Sequence, residues 1–247
     1  MRSFSGLLNV SRVLLNTRFS KKCKNSLRSQ GHQNVVWNVL IVDDHEVSRV
    51  GLRLLLDTAP FHVVASVANS SEAVECLETH PVDLVLTDIQ LSDGSGLRLL
   101  EQIRRSHPEV SVVVFSAYEN PTYIARAAAL GAADYLLKTI SSTTLLDTLK
   151  NIATGNSADS ESIMYLIQQT MQETVDVGML PADFPLTARE AQVLRHIALG
   201  LSNKEIAKSL LISIETVKEH VQHVLRKINA ADRTDAAVRA IKSGIMT

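Results

Sequence analysis

Three aspartates lie where apolar runs of the sequence end. Asp43 and Asp44 follow residues 39 to 42, a run typical of a strand buried on both faces of a parallel sheet. Asp88 ends a second such run, residues 82 to 88. Ligands of open α/β sheets bind at the carboxyl ends of the strands. Because adjacent carboxylates repel one another, Asp43 and Asp44 either cap the following helix or bind a metal ion, and the third carboxylate favours the metal ion.

Two more polar residues end apolar runs, Ser116 after residues 111 to 115 and Lys138 after residues 133 to 137. Three carboxylates at one sheet edge suit a hard divalent cation, and we expect Mg²⁺. A carboxylate nucleophile, a metal ion, a hydroxyl donor and a fixed cation are the groups that phosphoryl transfer needs. Taken singly, each residue has an ordinary explanation as a loop cap, a turn serine or a surface charge. Together they predict a phosphoryl-transfer site.

Alternating strand and helix patterns position these residues. Strands are predicted at residues 39–42, 62–66, 82–88, 111–117 and 133–137, with helices near 46–57, 70–79, 95–106, 120–130 and 142–154. Parallel strands need crossover connections, and the predicted helices have the right length for them. The pattern therefore predicts an α/β domain with a doubly wound, five-stranded parallel sheet over residues 37–155.

A linker and a small helical domain are predicted beyond this sheet. Residues 156–182 begin with a polar stretch and continue as an amphipathic helix with an apolar stripe of Ile163, Leu166, Ile167, Thr170, Met171 and Val175. We favour packing against a neighbouring domain over a dedicated partner site for this stripe. Residues 183–247 predict four short helices. Capping boxes are expected for the pairs Thr187 and Glu190, and Ser202 and Glu205.

Two of these short helices have the arrangement of a helix-turn-helix. A scaffold helix near 203–210, a turn at 211–213 and a second helix at 214–228 would place the latter in a major groove. Its buried stripe is predicted to comprise Ile214, Val217, Val221, Val224, Leu225 and Ile228. Base-reading candidates on the opposite face are Lys218, Glu219 and Gln222. Candidates for phosphate contacts are Ser202, Asn203, Lys204, Ser213, Thr216 and Lys227. The ordinary explanation is that these polar side chains simply face water.

Charge is distributed unevenly along the chain of 247 residues, whose net charge is -1. Residues 1 to 37 hold seven Lys/Arg and no acid, residues 38 to 155 hold eight against fifteen acids, and residues 181 to 247 hold ten against seven. This asymmetry indicates different partners for the acidic and basic parts. The two cysteines match no metal-ligand spacing and indicate a reducing compartment. No apolar run approaches the roughly 20 residues that a membrane-spanning helix needs.

The basic segment of residues 1–36 fits neither predicted domain. It is rich in Arg and Ser and mildly amphipathic, which resembles a transit peptide, and it is too interrupted for a secretory signal. We favour a disordered arm or a translation start assigned too far upstream.

The motifs VLIVDDHE, DLVLTDIQLSDGSGL, VVVFSA and GAADYLLK resemble the receiver domain of bacterial two-component response regulators. The resemblance covers about residues 37–155 and implies a flavodoxin-like fold. It implies that Asp88 accepts a phosphoryl group from the phosphohistidine of a sensor histidine kinase. The implied Mg²⁺ ligands are Asp43, Asp44, Asp88 and the main-chain carbonyl of Gln90. The implied phosphoryl-binding and switch residues are Ser116, Lys138 and Tyr135.

Two positions qualify this resemblance. Tyr135 has an ordinary explanation as a half-buried tyrosine of the sheet. Many receivers have a proline where this sequence has Ser92, four residues after Asp88. We expect a more mobile loop at this position, which would alter the lifetime of the phosphoryl group but would remove no chemical group.

The motifs LTAREAQVL, GLSNKEIAKSL and SIETVKEHVQHVLRKI are similar to the LuxR-type DNA-binding domain of the NarL/FixJ class, across about residues 183–245. The resemblance implies a homodimer on DNA, with an interface that includes a fourth helix near 232–241. Lys218, Glu219 and Gln222 match the base-reading positions of that family. Because Glu219 and Gln222 are not basic, we expect a sequence preference different from that of members with lysine or hydrophobic residues there.

These observations predict a phosphorylation-controlled, DNA-binding transcriptional response regulator. It is expected to be cytoplasmic, not an enzyme, and to have a histidine kinase and promoter DNA as partners, with no membrane association. A phosphorylation-independent regulator is an alternative, against which the intact set of pocket residues argues. A phosphatase with an aspartate nucleophile is a second alternative, but its substrate-enclosing cap would need longer loops than this sequence has.

Overall fold

The computed structural model describes residues 36–58, 60–154, 162–181 and 183–245. The chain divides into two compact units. The first contains the described residues up to Ser116 together with residues 138–154, and the second contains residues 117–137 and the described residues from 162 onward. Apart from Val36, the predicted N-terminal arm lies outside the described residues.

A five-stranded parallel sheet with strand order β2-β1-β3-β6-β7 is the framework of the N-terminal half. A two-stranded antiparallel hairpin, β4 and β5, follows its third strand. The elements in chain order are β1 (Trp37–Val42), α1 (Glu46–Leu56), β2 (Phe61–Val67), α2 (Ser70–Thr79), β3 (Leu84–Thr87), β4 (Gln90–Leu91), β5 (Gly94–Ser95), α3 (Gly96–Ser106), β6 (Ser111–Ser116), α4 (Pro121–Leu130), β7 (Asp134–Leu137) and α5 (Ser142–Thr154). The predicted α/β doubly wound fold is confirmed.

The central strands are buried because their sequences are continuous apolar runs. All four residues of β3 are buried, and so are five of the six residues in each of β1 and β6. Trp37, the only tryptophan of the chain, begins β1 and is 1% exposed. β1 pairs with β3 and β3 with β6 in parallel, so these three strands present their carboxyl ends at one edge of the sheet.

Helices make up most of the second unit. After α4 and β7 it contains α6 (Ile163–Gln172), a 3₁₀ turn (Val177–Met179), α7 (Ala188–Ala198), α8 (Asn203–Leu210), α9 (Ile214–Lys227) and α10 (Arg233–Lys242). Both predicted capping boxes are present, at Thr187 on α7 and at Ser202 on α8. They satisfy backbone N–H groups that have no partner within the helix. Gly200 has φ +76° directly after α7, where the sequence predicts that this helix stops.

Two predicted apolar stripes are only partly correct. In α6, Leu166 is 52% exposed, whereas Met164 and Met171 are each 2% exposed. In α9, Val217 and Val224 are fully buried but Ile214 is 38% exposed. Successive residues of an α-helix are about 100° apart, so Leu166, two positions after Met164, lies on the opposite side of α6. Ile214 shares the side of Val217 but lies in the first turn of α9, where residues 213 to 215 are exposed. No helix among the described residues is long and apolar enough to cross a membrane.

Candidate functional site

Three carboxylates and an imidazole form a cluster at the carboxyl edge of the sheet. One ligand atom from each of Asp43, Asp44, His45 and Asp88 lies within 4.8 Å of the corresponding atoms of the others. The side chain of Asp43 is 2% exposed and that of Asp88 is 6% exposed, because each follows a fully buried strand end. The structure therefore brings together the three aspartates that the sequence predicts.

Lys138 lies between two of these carboxylates. Its Nζ donates hydrogen bonds to Oδ2 of Asp43 at 2.7 Å and to Oδ2 of Asp88 at 2.6 Å. Burial alone would lower the pKa of this lysine, but its two carboxylate partners outweigh the burial and raise the pKa. Lys138 is therefore a fixed cation in the site, as predicted for a group that binds phosphoryl oxygens.

Asp43 is held by several donors. Ser48 Oγ donates to its Oδ2 at 2.5 Å and the backbone N–H of His45 donates to its Oδ1 at 2.9 Å. Burial raises the pKa of Asp43, but the hydrogen bonds from Lys138, Ser48 and His45 lower it by more, so the carboxyl ionises below its ordinary pKa. Ser48 has no signal in the sequence, because only the packing of α1 against the strand end shows that this serine faces the pocket.

Asp88 is oriented by its own loop. The backbone N–H of Ile89 donates to Oδ1 of Asp88 at 2.6 Å, which leaves Oδ2 to Lys138. Gly96 begins α3 directly against the Asp88 carbonyl, and a Cβ atom at Gly96 would lie 1.8 Å from that oxygen. Only glycine allows this approach, so Gly96 is a second residue that the sequence analysis missed.

The donor set of the pocket fits a hard divalent cation. Asp43, Asp44 and Asp88 provide carboxylate oxygens, the ligand type that Mg²⁺ prefers. Oδ1 of Asp44 is buried, and among the described residues its one close polar neighbour is Nδ1 of His45, at 2.8 Å. An oxygen in this state is suited to coordinate a metal ion. His45, whose side chain is 69% exposed, is a member of the cluster that the sequence analysis did not select.

Ser116 ends the buried strand β6, as the sequence predicts, and Tyr135 lies within β7. Ser116 is fully buried at the end of β6, and its carbonyl accepts a hydrogen bond from the backbone N–H of Lys138 at 2.8 Å. This bond fixes the backbone from which the lysine reaches Asp88. Tyr135 is 1% exposed, so it is fully buried instead of half-buried, and its hydroxyl donates to the carbonyl of Tyr118.

The base-reading candidates lie on the exposed face of α9. Val217 and Val224 are fully buried, whereas Lys218, Glu219 and Gln222 are exposed. The side chain of Ser213 caps this helix by accepting from the backbone N–H of Thr216 at 3.0 Å, and the two hydroxyl oxygens lie 2.9 Å apart.

The remaining phosphate-contact candidates differ in what they bind. Ser202 caps α8 and Asn203 accepts from Arg233 at 2.9 Å, so both are engaged within the domain. Lys204 is exposed. Lys227 donates to Oε2 of the buried Glu190 at 2.6 Å.

Comparisons with known proteins agree on one family. Residues 39–150 match the response regulator receiver domain, and residues 184–240 match the bacterial regulatory proteins of the luxR family. The transcriptional regulatory protein DegU of Brevibacillus brevis is 31% identical over 232 residues, which cover 88% of this chain and 98% of DegU. The response regulator protein VraR of Staphylococcus aureus is 31% identical over 209 residues, which cover 84% of this chain and 98% of VraR.

A solved structure has the same fold. RcsB from Salmonella enterica serovar Typhimurium, bound to a promoter in the presence of the phosphomimetic BeF₃⁻, is 25% identical with a TM-score of 0.50, over 82% of this chain and 96% of RcsB. The acidic pocket, the exposed face of α9 and these matches lead to one conclusion. This chain belongs to the response regulators that join a receiver domain to a LuxR-type DNA-binding domain, a family of transcriptional regulators.

Proposed function

We propose that Asp88 accepts a phosphoryl group from a sensor histidine kinase and that the phosphorylated protein binds promoter DNA through α9. The observation that carries the proposal is the position of Lys138 between Asp43 and Asp88. The single positive charge of Lys138, whose side chain is 20% exposed, is shared by two carboxylates and leaves the three groups with a net negative charge. The pocket is therefore arranged to receive both a metal ion and the oxygens of a phosphoryl group.

The transfer step requires one nucleophile and one leaving group. A carboxylate oxygen of Asp88 forms a bond to phosphorus while the P–N bond of the phosphohistidine breaks, and the electron pair of that bond leaves with the imidazole. The backbone N–H of Ile89 holds the carboxylate in place during attack. Lys138 and the Ser116 hydroxyl would bind the transferred oxygens, which carry the negative charge.

Mg²⁺ is the metal ion that the pocket would hold, through Asp43, Asp44, Asp88 and the Gln90 carbonyl. When bound, it supplies positive charge that neutralises the phosphoryl oxygens. Asp43 contributes an ionised oxygen at neutral pH because its pKa lies below the ordinary value.

The proposed switch is a shift between two conformations of the receiver. Movement of Ser116 toward the phosphoryl group would be accompanied by a new rotamer of Tyr135, whose hydroxyl now donates to Tyr118. The protein would then bind DNA as a homodimer. α10 offers a surface for this dimer, since Val238 is 42% exposed and Ile241 is 59% exposed on one helix.

Recognition of DNA is assigned to the exposed face of α9 in a major groove. Lys218, Glu219 and Gln222 would read base edges, since lysine suits guanine, glutamine suits adenine and glutamate accepts from cytosine. Ser202, Asn203, Lys204, Ser213, Thr216 and Lys227 remain the candidates for phosphate contacts. A cytoplasmic location and the domain boundaries at residues 36, 155 and 182 also stay predictions.

A gel shift with promoter DNA tests the proposal. The protein and its Asp88→Ala variant are each compared with and without Mg²⁺ and acetyl phosphate. We expect the phosphodonor to strengthen DNA binding only when Asp88 and Mg²⁺ are both present. Equal binding by both proteins under all conditions would leave DNA binding intact and would contradict phosphorylation at Asp88.

A further inference from the structure

The carboxylate of Asp93 binds the N-terminus of α2, which lies more than twenty residues earlier in the sequence. Oδ1 accepts from the backbone N–H of Ser70 at 3.0 Å, and Oδ2 accepts from the backbone N–H of Ser71 at 3.1 Å and from its hydroxyl at 3.3 Å. Asp93 lies five residues after Asp88, at the tip of the β4–β5 hairpin. The loop that carries the proposed phosphoacceptor is therefore attached to a helix of the sheet framework.

α2 has a cap of its own besides Asp93. The side chain of Asn69 accepts from the backbone N–H of Glu72 at 2.9 Å, and its carbonyl accepts from the N–H of Ala73. Asp93 accepts hydrogen bonds from the other two N–H groups of the first turn, those of Ser70 and Ser71. Its negative charge also interacts favourably with the positive end of the helix dipole. The pKa of Asp93 is lowered, first by the hydrogen bond from the Ser70 N–H, so the carboxylate is ionised at neutral pH.

Backbone pairing within the hairpin acts at its base. Gln90 pairs with Ser95 and Leu91 with Gly94, so the turn itself consists of Ser92 and Asp93. Both turn residues have negative φ, since neither is among the non-glycine residues with positive φ. A turn with this backbone accepts proline at its first residue, but serine stands there and leaves φ unfixed.

We propose that Asp93 is a positioning residue for phosphorylation, because its carboxylate holds the loop that carries Asp88 and the Gln90 carbonyl in the geometry that binds Mg²⁺. The inference rests on the proposed role of Asp88. We call the hydrogen bonds from Ser70 and Ser71 to Asp93 the tether. The tether restrains the loop by attaching it to α2, whereas a proline at position 92 would restrain it by fixing its own φ angle. Without the tether, the loop samples conformations in which the carbonyl of Gln90 is displaced, so Mg²⁺ binding and phosphoryl transfer both weaken.

Four variants of the full chain test the proposal. Asp93→Ala removes the tether, and Asp93→Asn keeps an acceptor without the charge. Asn69→Ala is the matched control, because it removes a cap from the same helix terminus without touching the loop. The double variant Asp93→Ala with Ser92→Pro restores restraint to the loop by other means. Each is measured for melting temperature, for the Mg²⁺ dissociation constant by calorimetry, and for the rate of phosphorylation by acetyl phosphate.

We expect Asp93→Ala to weaken Mg²⁺ binding and slow phosphorylation by about fivefold, the effect of losing one typical cap interaction in full. The Mg²⁺ affinity and the phosphorylation rate of Asp93→Asn should lie between those of Asp93→Ala and those of the unaltered protein. Asn69→Ala should lower the melting temperature while both pocket measurements stay unchanged. Ser92→Pro should restore both measurements in the Asp93→Ala background.

Two results would overturn the inference. If Asp93→Ala changes only the melting temperature, Asp93 is a helix cap without influence on the pocket. If Asn69→Ala weakens Mg²⁺ binding as much as Asp93→Ala does, the effect passes through α2 and not through the loop. A failure of the unaltered protein to become phosphorylated at Asp88 would instead contradict the proposed function, and the Mg²⁺ measurements would still decide the role of the tether.

Discussion

The ammonium group of Lys138 lies 2.6 Å from Oδ2 of Asp88, and the two residues are fifty positions apart in the sequence. The same nitrogen also lies 2.7 Å from Asp43, so one cation compensates two carboxylates. A divalent ion in this pocket would take over part of that compensation, which would release Lys138 for a phosphoryl oxygen. The stability of the pocket and its ability to bind metal are therefore coupled through this lysine.

Lys138→Ala should lower the free energy of unfolding by about 2 kcal/mol when Mg²⁺ is absent. The cost is below that of a fully buried pair, because the Lys138 side chain is 20% exposed. Added Mg²⁺ should raise the melting temperature of this variant more than that of the unaltered protein, since the ion replaces the lost charge. Lys150→Ala is the control, because Lys150 forms an exposed pair with Asp147 and should cost less than about 0.5 kcal/mol. Equal Mg²⁺ responses in all three proteins would contradict this coupling.

Gly96→Ala should destabilise the receiver by several kcal/mol and abolish phosphorylation by acetyl phosphate. The new Cβ would overlap the carbonyl of Asp88, so α3 and the Asp88 loop could not keep their present distance. Gly51→Ala provides the comparison, because nothing lies within 4 Å of its Cβ position in α1. For Gly51→Ala we expect the free energy of unfolding, measured with denaturant, to rise by about 0.5–1 kcal/mol, because alanine is more stable than glycine inside a helix. Similar losses in both variants would show that the contact with Asp88 is unimportant.

Two lysines should affect DNA binding in different ways. Lys218→Ala on the exposed face of α9 should weaken binding to the preferred DNA site by about 1–3 kcal/mol. It should also reduce discrimination between bases at one position of that site. Lys204→Ala should weaken binding to all sequences alike and reduce the slope of log affinity against log salt by about one. Titrations at several salt concentrations, on specific and scrambled duplexes, distinguish the two. If Lys204→Ala also changed sequence preference, its assignment to a phosphate would be wrong.

Lys227 should contribute to folding as well as to any DNA contact. Its ammonium group lies 2.6 Å from Glu190, whose side chain is 5% exposed. Burial raises the pKa of Glu190, but the bonds from Lys227 and Thr187 lower it by more, so the carboxyl is ionised and needs its partner. We expect Lys227→Ala to lower the melting temperature of the C-terminal helices, whereas Lys218→Ala does not. A melting temperature unchanged by Lys227→Ala would argue that water replaces the lysine without cost.

His196 should make the C-terminal helices less stable in mild acid. Burial lowers the pKa of this histidine below its ordinary value of 6.5, so the folded state holds it neutral. As pH falls below about 6.5, the unfolded chain binds a proton that the folded chain does not, and folding stability decreases. Thermal unfolding between about pH 7.5 and about pH 5 should therefore show a steeper loss for the unaltered protein than for His196→Gln. Equal slopes for the two proteins would contradict this role of His196.

The sequence predicts the sheet and most of its helices closely because apolar runs and capping residues are local signals. The predicted strand at residues 111–117 corresponds to Ser111–Ser116, and the predicted helix at 70–79 coincides with Ser70–Thr79. The hairpin at residues 90–95 was missed, because strands of two residues show no period.

The chemical groups of the pocket were also predictable, whereas the residues that position them were not. Asp43, Asp88 and Lys138 each end an apolar run, which is visible in the sequence. Ser48 reaches Asp43 only through the packing of α1, and Asp93 reaches α2 across a separation of more than twenty residues in the sequence. Contacts of this kind depend on tertiary distances, which the pattern of a single sequence does not show.

Trp37 makes the folding of the receiver visible by fluorescence without any label. It is the only tryptophan of the chain, is 1% exposed and begins β1, at the end of the strand opposite to Asp43. Its emission should shift to longer wavelength when the sheet unfolds and should change little when Mg²⁺ or a phosphoryl group enters the pocket. Because the C-terminal helices contain no tryptophan, the same signal separates melting of the sheet from melting of the DNA-binding helices in the intact protein.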